Sequence, residues 1–368
     1  MKEVPSYKLN IRNELAFEIN TQEPFSGLVV DLYPNGEFES KSEYKDGKKC
    51  GESILFFANG QWKKKLNYKK GLLEGLFEKY YENGQIRYKG SYKDGKKNGL
   101  WERYYENGQI RYKGSYKDGK KNGAWESYLN GRISIKDIYK NNEKIANFFY
   151  NKDGELLSRT EYKDGLKNGL FESYIDGELL TRTEYKDGLR NGLFESYSEN
   201  QVYIIGAYRD DLEDGVWEGY YQNGKKEFVK YYNNGLKDGS FQYYFENGQL
   251  KAQGAYKENL RDGLWESYYQ NGSIESERFY ENGKLNGSYK FFFPEGNLKI
   301  KCLYFFGKRI GLYEEFYKNG QLFIKCYFLN GKLNLEKEVY FDNGSLKEIA
   351  IYEEGKLVGQ IRSFPEEE

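Results

Sequence analysis

The sequence predicts an all-β protein: an elongated single antiparallel sheet of about fourteen stacked β-hairpin repeats of 23–24 residues, solenoid-like in its contacts. Three observations point there. Gly84–Gly99, GQIRYKGSYKDGKKNG, recurs letter for letter as Gly108–Gly123, and Arg159–Tyr174 recurs as Arg182–Tyr197 with only Lys167 changed to Arg190. Glycine falls into three columns at fixed offsets along almost the whole chain. Composition agrees, because 38 Tyr, 24 Phe and 5 Trp beside 42 Gly and only 5 Pro favour strands and tight turns over helices.

The glycine columns define the unit. Repeats start at Gly27, Gly51, Gly75, Gly99 and Gly123 and continue to Gly359, departing from glycine at Ala146 and Leu335. Eight or nine residues after each start comes a first turn, at Gly36, Gly60, Gly84 and their equivalents, with Asn200 as the exception. Eleven residues further on comes a second, at Gly47, Gly71, Gly95 and their equivalents, with Asn142, Asp211 and Asn259 as exceptions. Every exception in the turn columns is Asn or Asp, the residues that best tolerate positive φ, so these columns are predicted to be left-handed turn positions. Between them, LWERYY (Leu100–Tyr105) and QIRYKGSY (Gln109–Tyr116) have strand length, and the intervening Asn-Gly and Asp-Gly steps are hairpin signals. KDGKKNG (Lys117–Gly123) reads as the loop that joins one hairpin to the next. From Gly123 to Gly215 the interval is 23 instead of 24, and the lost residue lies between the start and the first turn. A one-residue slip would swap the faces of a strand, so the turn is predicted to absorb the deletion.

Side-chain alternation assigns the faces. Large aromatics stand two residues after the start, at Phe77, Trp101, Trp125, Phe148, Phe171, Phe194, Trp217, Phe241, Trp265, Tyr289 and Tyr313, and a second aromatic such as Tyr105 follows four positions later on the same side. In the second strand Ile86 and Ile110, with Tyr92 and Tyr116, are predicted to share one face. Glu78, Glu102, Glu126 and their equivalents fall on the opposite face of the first strand, where Tyr104 and its counterparts add an aromatic row. Residues 27–355 form the array, 1–26 an N-terminal cap and 356–368 a C-terminal cap or tail; the caps cover edges that would otherwise allow end-to-end self-association. At about 4.8 Å per strand the array is expected to be a rod on the order of 130 Å long. Small-angle scattering should then give a radius of gyration well above the roughly 21 Å of a compact chain of this length, and a compact value would reject the rod.

Composition excludes much chemistry. The chain has no His, which removes the commonest metal ligand and every His-dependent dyad or triad. Lys plus Arg equals Asp plus Glu at 57 each, and no stretch is basic enough to neutralise a phosphate backbone, so nucleic acid is disfavoured as a partner. Cys50, Cys302 and Cys326 are too few and scattered for a disulfide scaffold or a four-thiolate zinc site. Cys302 and Cys326 occupy a position held elsewhere by Gly90, Gly114, Thr160, Thr183 and Ala350, and are expected to be small fillers; equivalent positions lie two strands apart, about 9.6 Å, beyond the roughly 7 Å a disulfide spans. Neither a leader-like apolar segment nor a membrane-length apolar run is present, so no membrane insertion and a cytoplasmic location are expected.

The motif G-x-Y-K-D-G-K-K-N-G-x-W-E-x-Y-Y-E-N-G-Q, carried here by Gly90–Gln109 and in looser form from about Gly27 to Gly355, resembles the MORN-repeat family, in particular the bacterial variant found in antitoxin-like proteins of the YwqK type. The resemblance implies a sheet of stacked hairpins, a role in binding or scaffolding, and no reaction. Classical members carry His before the repeat-start glycine, where this chain has Asn98, Asn122, Asn168 and Asn191.

Trp101, Trp125, Phe171, Phe194, Trp217, Phe241 and Trp265 form the candidate binding face, as a stacking platform for a partner; the competing and favoured account is that the row simply holds the sheet together, through cross-strand aromatic pairs of roughly 0.2–1 kcal/mol each. The Glu row could supply paired carboxylates, but catalysis needs one singular pair in a pocket, and a row repeated beside Lys and Arg reads as a solvated face. No catalytic, cofactor-binding or metal-binding residue is expected. The function expected is that of a non-enzymatic repeat protein binding a protein partner along an extended sheet face, of antitoxin, immunity or scaffold type. The alternative is a carbohydrate- or choline-binding cell-surface module, whose repeats have a similar W-x-x-Y-Y-x-x-G pattern at a period nearer 20.

Overall fold

The structure is a computed structural model that describes residues 1–366; Glu367 and Glu368, the end of the predicted C-terminal tail, lie outside the described residues. The fold is all-β and built from antiparallel hairpins in series. Two units are distinguished: Met1–Leu179 with Tyr185–Gly188, and Leu180–Glu184 with the residues from Leu189 onward. In the first, strands from Gly27–Leu32 to Leu166–Ile175 pair with their chain neighbours; in the second, those from Leu189–Ser198 to Leu346–Glu353 do so.

One repeat illustrates the local chemistry. Strand Ile86–Lys93 turns through Asp94 (φ 49°) and Gly95 (φ 75°) into strand Lys96–Tyr104, a two-residue turn with both residues left-handed, as strand twist requires of so tight a reversal. The next reversal is wider: the Tyr105 N–H donates to Gln109 O at 2.8 Å and the Gly108 N–H to Tyr105 O at 3.0 Å, closing a three-residue loop whose last residue, Gly108, has φ 82°. Asn142, Asp211, Asn259 and Asn200 all have positive φ, as the turn columns predict. The turns also bind repeat to repeat. Gly95 N–H donates to Leu73 O and Gly119 N–H to Lys97 O on one side, while on the other the Asn83 amide reaches Glu106 O at 3.0 Å and the Tyr81 hydroxyl reaches Tyr104 O at 2.8 Å.

The third glycine column is different from what the sequence suggests. KDGKKNG is not a seven-residue loop: only Asp118 and Gly119 turn, and the next strand, Lys120–Leu129, already contains Gly123. The repeat-start glycine sits in a bulge. Asn98 pairs with Ser91 and Glu102 with Lys89, so Gly99, Leu100 and Trp101 oppose Gly90 alone. Gly99 takes φ 75° there. Leu335 holds the same conformation at φ 68° with a branched side chain, a strain of order 1 kcal/mol or more. Leu335→Gly is expected to raise stability by about 1 kcal/mol despite the added chain entropy, measured by thermal melting.

Deletions are absorbed at two places, not one. Around Asn130-Gly131, Asp176-Gly177 and Glu199-Asn200 the loop shrinks to two residues of positive φ, as predicted. In the repeat from Ala146 the loop keeps its full length, with Asn151 N–H on Glu155 O, and the bulge gives up the residue instead: Ile138 pairs with Ala146 and Tyr139 with Lys144, one extra residue where other repeats have two. A bulge of one needs no left-handed residue, which explains the missing glycine.

Glu3–Val4 pairs in parallel with Gly27–Leu32, and Val4, Phe25 and Val29 make a small core beneath it. At the other end Lys356–Leu357 and Arg362–Ser363 pair along Leu346–Glu353.

Candidate functional site

The seven aromatics of the candidate face are packing residues first. Trp101 is 5% exposed, Phe241 3%, and Phe171, Phe194 and Trp265 are half-buried. Trp101 stacks on Phe77 at 5.2 Å, meets Tyr92 edge-on, and has the Lys97 ammonium 4.3 Å above its ring. Its indole N–H donates to Ser91 O at 3.1 Å, a carbonyl in the bulge; Trp125, Trp217 and Trp265 donate to Ser115, Ala207 and Ala255 in the same way. The ring lies flat on the opposing residue of the preceding strand. A Cβ on Gly90 would stand 2.3 Å from the Trp101 ring, and one on Gly114 2.1 Å from Trp125. Size is matched pair by pair: Gly90, Gly114, Gly206 and Gly254 each face a Trp, whereas Thr160 faces Phe171. The row breaks at Phe148, which the sequence places in it: the short bulge brings Asn147 to the aromatic position, opposite Thr160, and turns Phe148 to the other face, opposite Arg159. Asn147 hydrogen-bonds Asp137 at 2.7 Å, and beside them a cavity of about 310 Å³ opens against Trp125 and Tyr139.

Cys302 and Cys326 are buried in the small-residue position, opposite Tyr289 and Tyr313, and both are free. Burial pushes each thiol up to about 11, which suppresses the nucleophilic thiolate. Maleimide labelling of the native protein should therefore modify Cys50, which is less buried, well before Cys302 or Cys326; fast labelling of either would contradict the packing.

The opposite face is not the solvated charge row expected from the sequence. The Tyr104 hydroxyl donates to Glu102 at 3.0 Å, Tyr80 to Glu78 at 2.7 Å, Tyr128 to Glu126 at 2.7 Å and Tyr197 to Glu195 at 2.7 Å, and Glu172 is buried. Lysines from the facing strand complete the ladder, as in Lys113–Glu126 at 3.2 Å and Lys325–Glu338 at 3.2 Å. The Glu126 carboxyl is held low by the Tyr128 and Lys113 hydrogen bonds against the opposing pull of burial. The predicted placing of Ile110 is also corrected. A bulge near Arg111 sets Ile110 opposite Tyr104, so the Ile row joins the Glu face while Tyr116 stays on the tryptophan face opposite Gly99.

In the second unit this Glu face carries an exposed apolar stripe. Val216 opposes Tyr231 and, beyond a Ser240–Ala255 pair, Leu264 opposes Phe279 and half-buried Leu312 opposes Tyr327, with Leu303 and Ile351 in the same line. Phe279 and Leu303 are each 46% exposed and Leu264 48%. In the first unit the positions equivalent to Phe279 are Glu43, Asn67, Ser91, Ser115, Ile138 and Glu161, so that exposed Leu76 and Leu100, the equivalents of Leu264, oppose serines there. Among the described residues no group of three or more acidic or thiol side chains is placed to hold a metal ion. A cleft of about 780 Å³ between the N-terminal segment and the first hairpin contains Asp31, but both its oxygens are occupied, by the Ser6 N–H and the Ser40 hydroxyl.

The family model for the MORN repeat variant matches residues 49–70, 73–94, 97–118, 213–234, 237–258, 261–282, 285–305 and 309–330. The chain belongs to the MORN-repeat family. Each matched window opens just after a second turn and closes in or just before the next one, so the MORN unit coincides with one pair of antiparallel strands. No MORN window falls between 118 and 213, where the 23-residue repeats with their altered turns and bulge lie. No curated protein matches the chain. Among solved structures, the crystal structure of TcdB2-TccC3 aligns at 11% identity and a TM-score of 0.18, over 90% of this chain and 21% of that one. The Photorhabdus luminescens Tc holotoxin pore carrying the TccC3-D651A mutation aligns at 13% identity and 0.17, over 87% and 18%. The MORN-repeat chain thus spans about a fifth of those chains, and at such scores the likeness carries no argument.

Proposed function

We propose that this MORN-repeat chain is a non-enzymatic binding protein that docks a protein partner on an extended sheet face, and that the docking face is the Glu face of the second unit. The observation that carries the reading is the exposed stripe of Val216, Tyr231, Leu264, Phe279, Leu303 and Tyr327, since leaving so many large apolar groups in water gains nothing for the isolated chain. The tryptophan row supports the stripe from behind: its rings are covered by neighbouring strands and lysines, which leaves little open surface for a sugar to stack on. A scaffold or an antitoxin-type protein in the cytoplasm fits such a face. The test is co-purification with the wild type and with Leu264→Lys/Phe279→Lys. A partner protein held by the wild type and lost by the variant, with circular dichroism and melting unchanged, supports the reading; retention of the partner by the variant rejects it.

A further inference from the structure

The stripe is not uniform in charge, and its acidic part narrows the kind of partner. Along the Glu face of the first unit the carboxylates of the repeated Glu row oppose bases, as Glu78 does Lys89, Glu102 does Lys113 and Glu172 does Arg159. In the second unit that pattern fails at Glu218, which faces Ile205 and Val229 yet has Lys226 at 2.6 Å, and at Glu266, which faces Gln253 and Glu277 and has no such base. Glu266 stands directly opposite Glu277, a like-charge cross-strand pair that costs stability. Asp238, Asp262 and Glu281 share the same face on the turn side of the stripe, each with its parity fixed by the ladder: Asp262 opposes Ala255, and Glu281 lies two residues beyond Phe279. Among the described residues Asp238, Asp262 and Glu266 have no Lys or Arg within ion-pair distance, whereas Glu277 is paired with Lys290 at 2.8 Å and Glu281 stands opposite Lys284 and accepts a hydrogen bond from the Asn286 amide. Exposed Leu260, Leu264 and Phe279 lie among these carboxylates. An apolar line bordered by uncompensated negative charge is complementary to an apolar line bordered by positive charge.

The spacing selects the partner's form. Equivalent positions recur every two strands, about 9.6 Å, along the stripe. An α-helix returns to the same face every seven residues, about 10.5 Å, whereas an extended strand presents its faces alternately and cannot keep one row of anchors on that interval without idle residues.

We propose that the patch centred on Leu264 and Phe279 docks a basic amphipathic helix, with apolar side chains spaced by about seven residues against the stripe and Lys or Arg beside Asp238, Asp262, Glu266 and Glu281. This rests on the reading of the stripe as a protein-docking face.

The probe is a synthetic three-heptad helix with Leu along one edge and Lys beside it, labelled for fluorescence anisotropy, together with a counterpart in which every Lys is Glu. The full chain should bind the basic helix and not the acidic one. Asp262→Lys/Glu281→Lys should weaken binding by about tenfold or more, Leu264→Ser/Phe279→Ser likewise, and raising the salt should weaken the wild-type complex. Leu100→Ser/Glu102→Lys, the matching change in the first unit, should leave affinity unchanged. No binding by the wild type, equal binding of the two helices, or equal losses from both sets of sites would overturn the proposal. The underlying reading is tested separately: if the co-purifying partner is lost with Leu264→Lys/Phe279→Lys but kept with Asp262→Lys/Glu281→Lys, protein docking stands and the basic helix falls.

Discussion

Gly114→Thr is expected to destabilise the protein by about 3 kcal/mol, and adding Trp125→Phe should recover much of that loss. The Trp125 indole, at its ring fusion, occupies the space a Cβ would need, 2.1 Å from the ideal position and against the rigid body of the ring, so the strand or the indole must move. Moving the indole also breaks its hydrogen bond to Ser115 O and leaves a bulge carbonyl without its donor. The Thr-Phe combination is one the chain already uses, at Thr160 with Phe171, and its near-identical copy carries Thr183 and Phe194 at the same sequence positions. Trp125→Phe alone should cost roughly 1–2 kcal/mol through the vacated volume and the lost hydrogen bond. A double-mutant cycle by urea unfolding should therefore give a favourable coupling of about 1–3 kcal/mol. Strict additivity would show that the two residues do not share one space.

Alkaline pH should unfold the protein earlier than its neutral-pH stability suggests. The Tyr104 hydroxyl is pushed up to about 12 by burial and by its hydrogen bond to Glu102; Tyr340 reaches about 12 for the same reasons beside Glu338, and Tyr220 about 12, chiefly through its bond to Glu218. A tyrosine in the unfolded chain loses its proton near 10. Between pH 10 and 12 the unfolded state thus releases protons that the folded state keeps, and stability falls as pH rises through that window; below pH 10 the contribution is fully present. The melting temperature is expected to drop by roughly 10 °C or more from pH 9 to pH 11.5. Phenolate absorbance should rise together with the loss of circular dichroism. Free titration of these tyrosines near pH 10, with the fold intact, would show that the Glu–Tyr ladder is not formed.

Turn chemistry made most of the fold legible in the sequence. Asn142, Asp211 and Asn259 replace glycine only where φ is positive, so the columns reported backbone geometry directly. The bulge was harder to foresee, because a left-handed glycine in a bulge and one in a loop leave the same letter; Gly99 reads as the end of a connector until the pairing of Asn98 and Glu102 shows otherwise. Once the second bulge is known, Ile110 moves to the other face. The stripe escaped for a different reason. Columns shared by all repeats set the faces, whereas the stripe lies in a column that changes along the chain, from Ser91 and Ser115 to Phe279, Leu303 and Tyr327. The charge row was misjudged because alternation tells which side a Glu is on but not that Tyr104, two residues later on the same side, covers it.

The tryptophan–glycine match has a consequence for how such a chain can evolve by copying pieces of itself. Gly90 belongs to one repeat and the Trp101 that rests on it to the next, with the start glycine Gly99 between them. Recombination cut at that glycine would separate the two halves of every match, joining a Trp to whatever residue the neighbouring fragment brings. A crossover that places Trp125 after Thr160 meets a methyl and a hydroxyl where the ring must lie. Heritable rearrangements should therefore break at the wide first turns, where Glu-Asn-Gly is interchangeable, and carry each glycine together with the tryptophan downstream of it. The unit that can be shuffled is offset from the unit that can be counted.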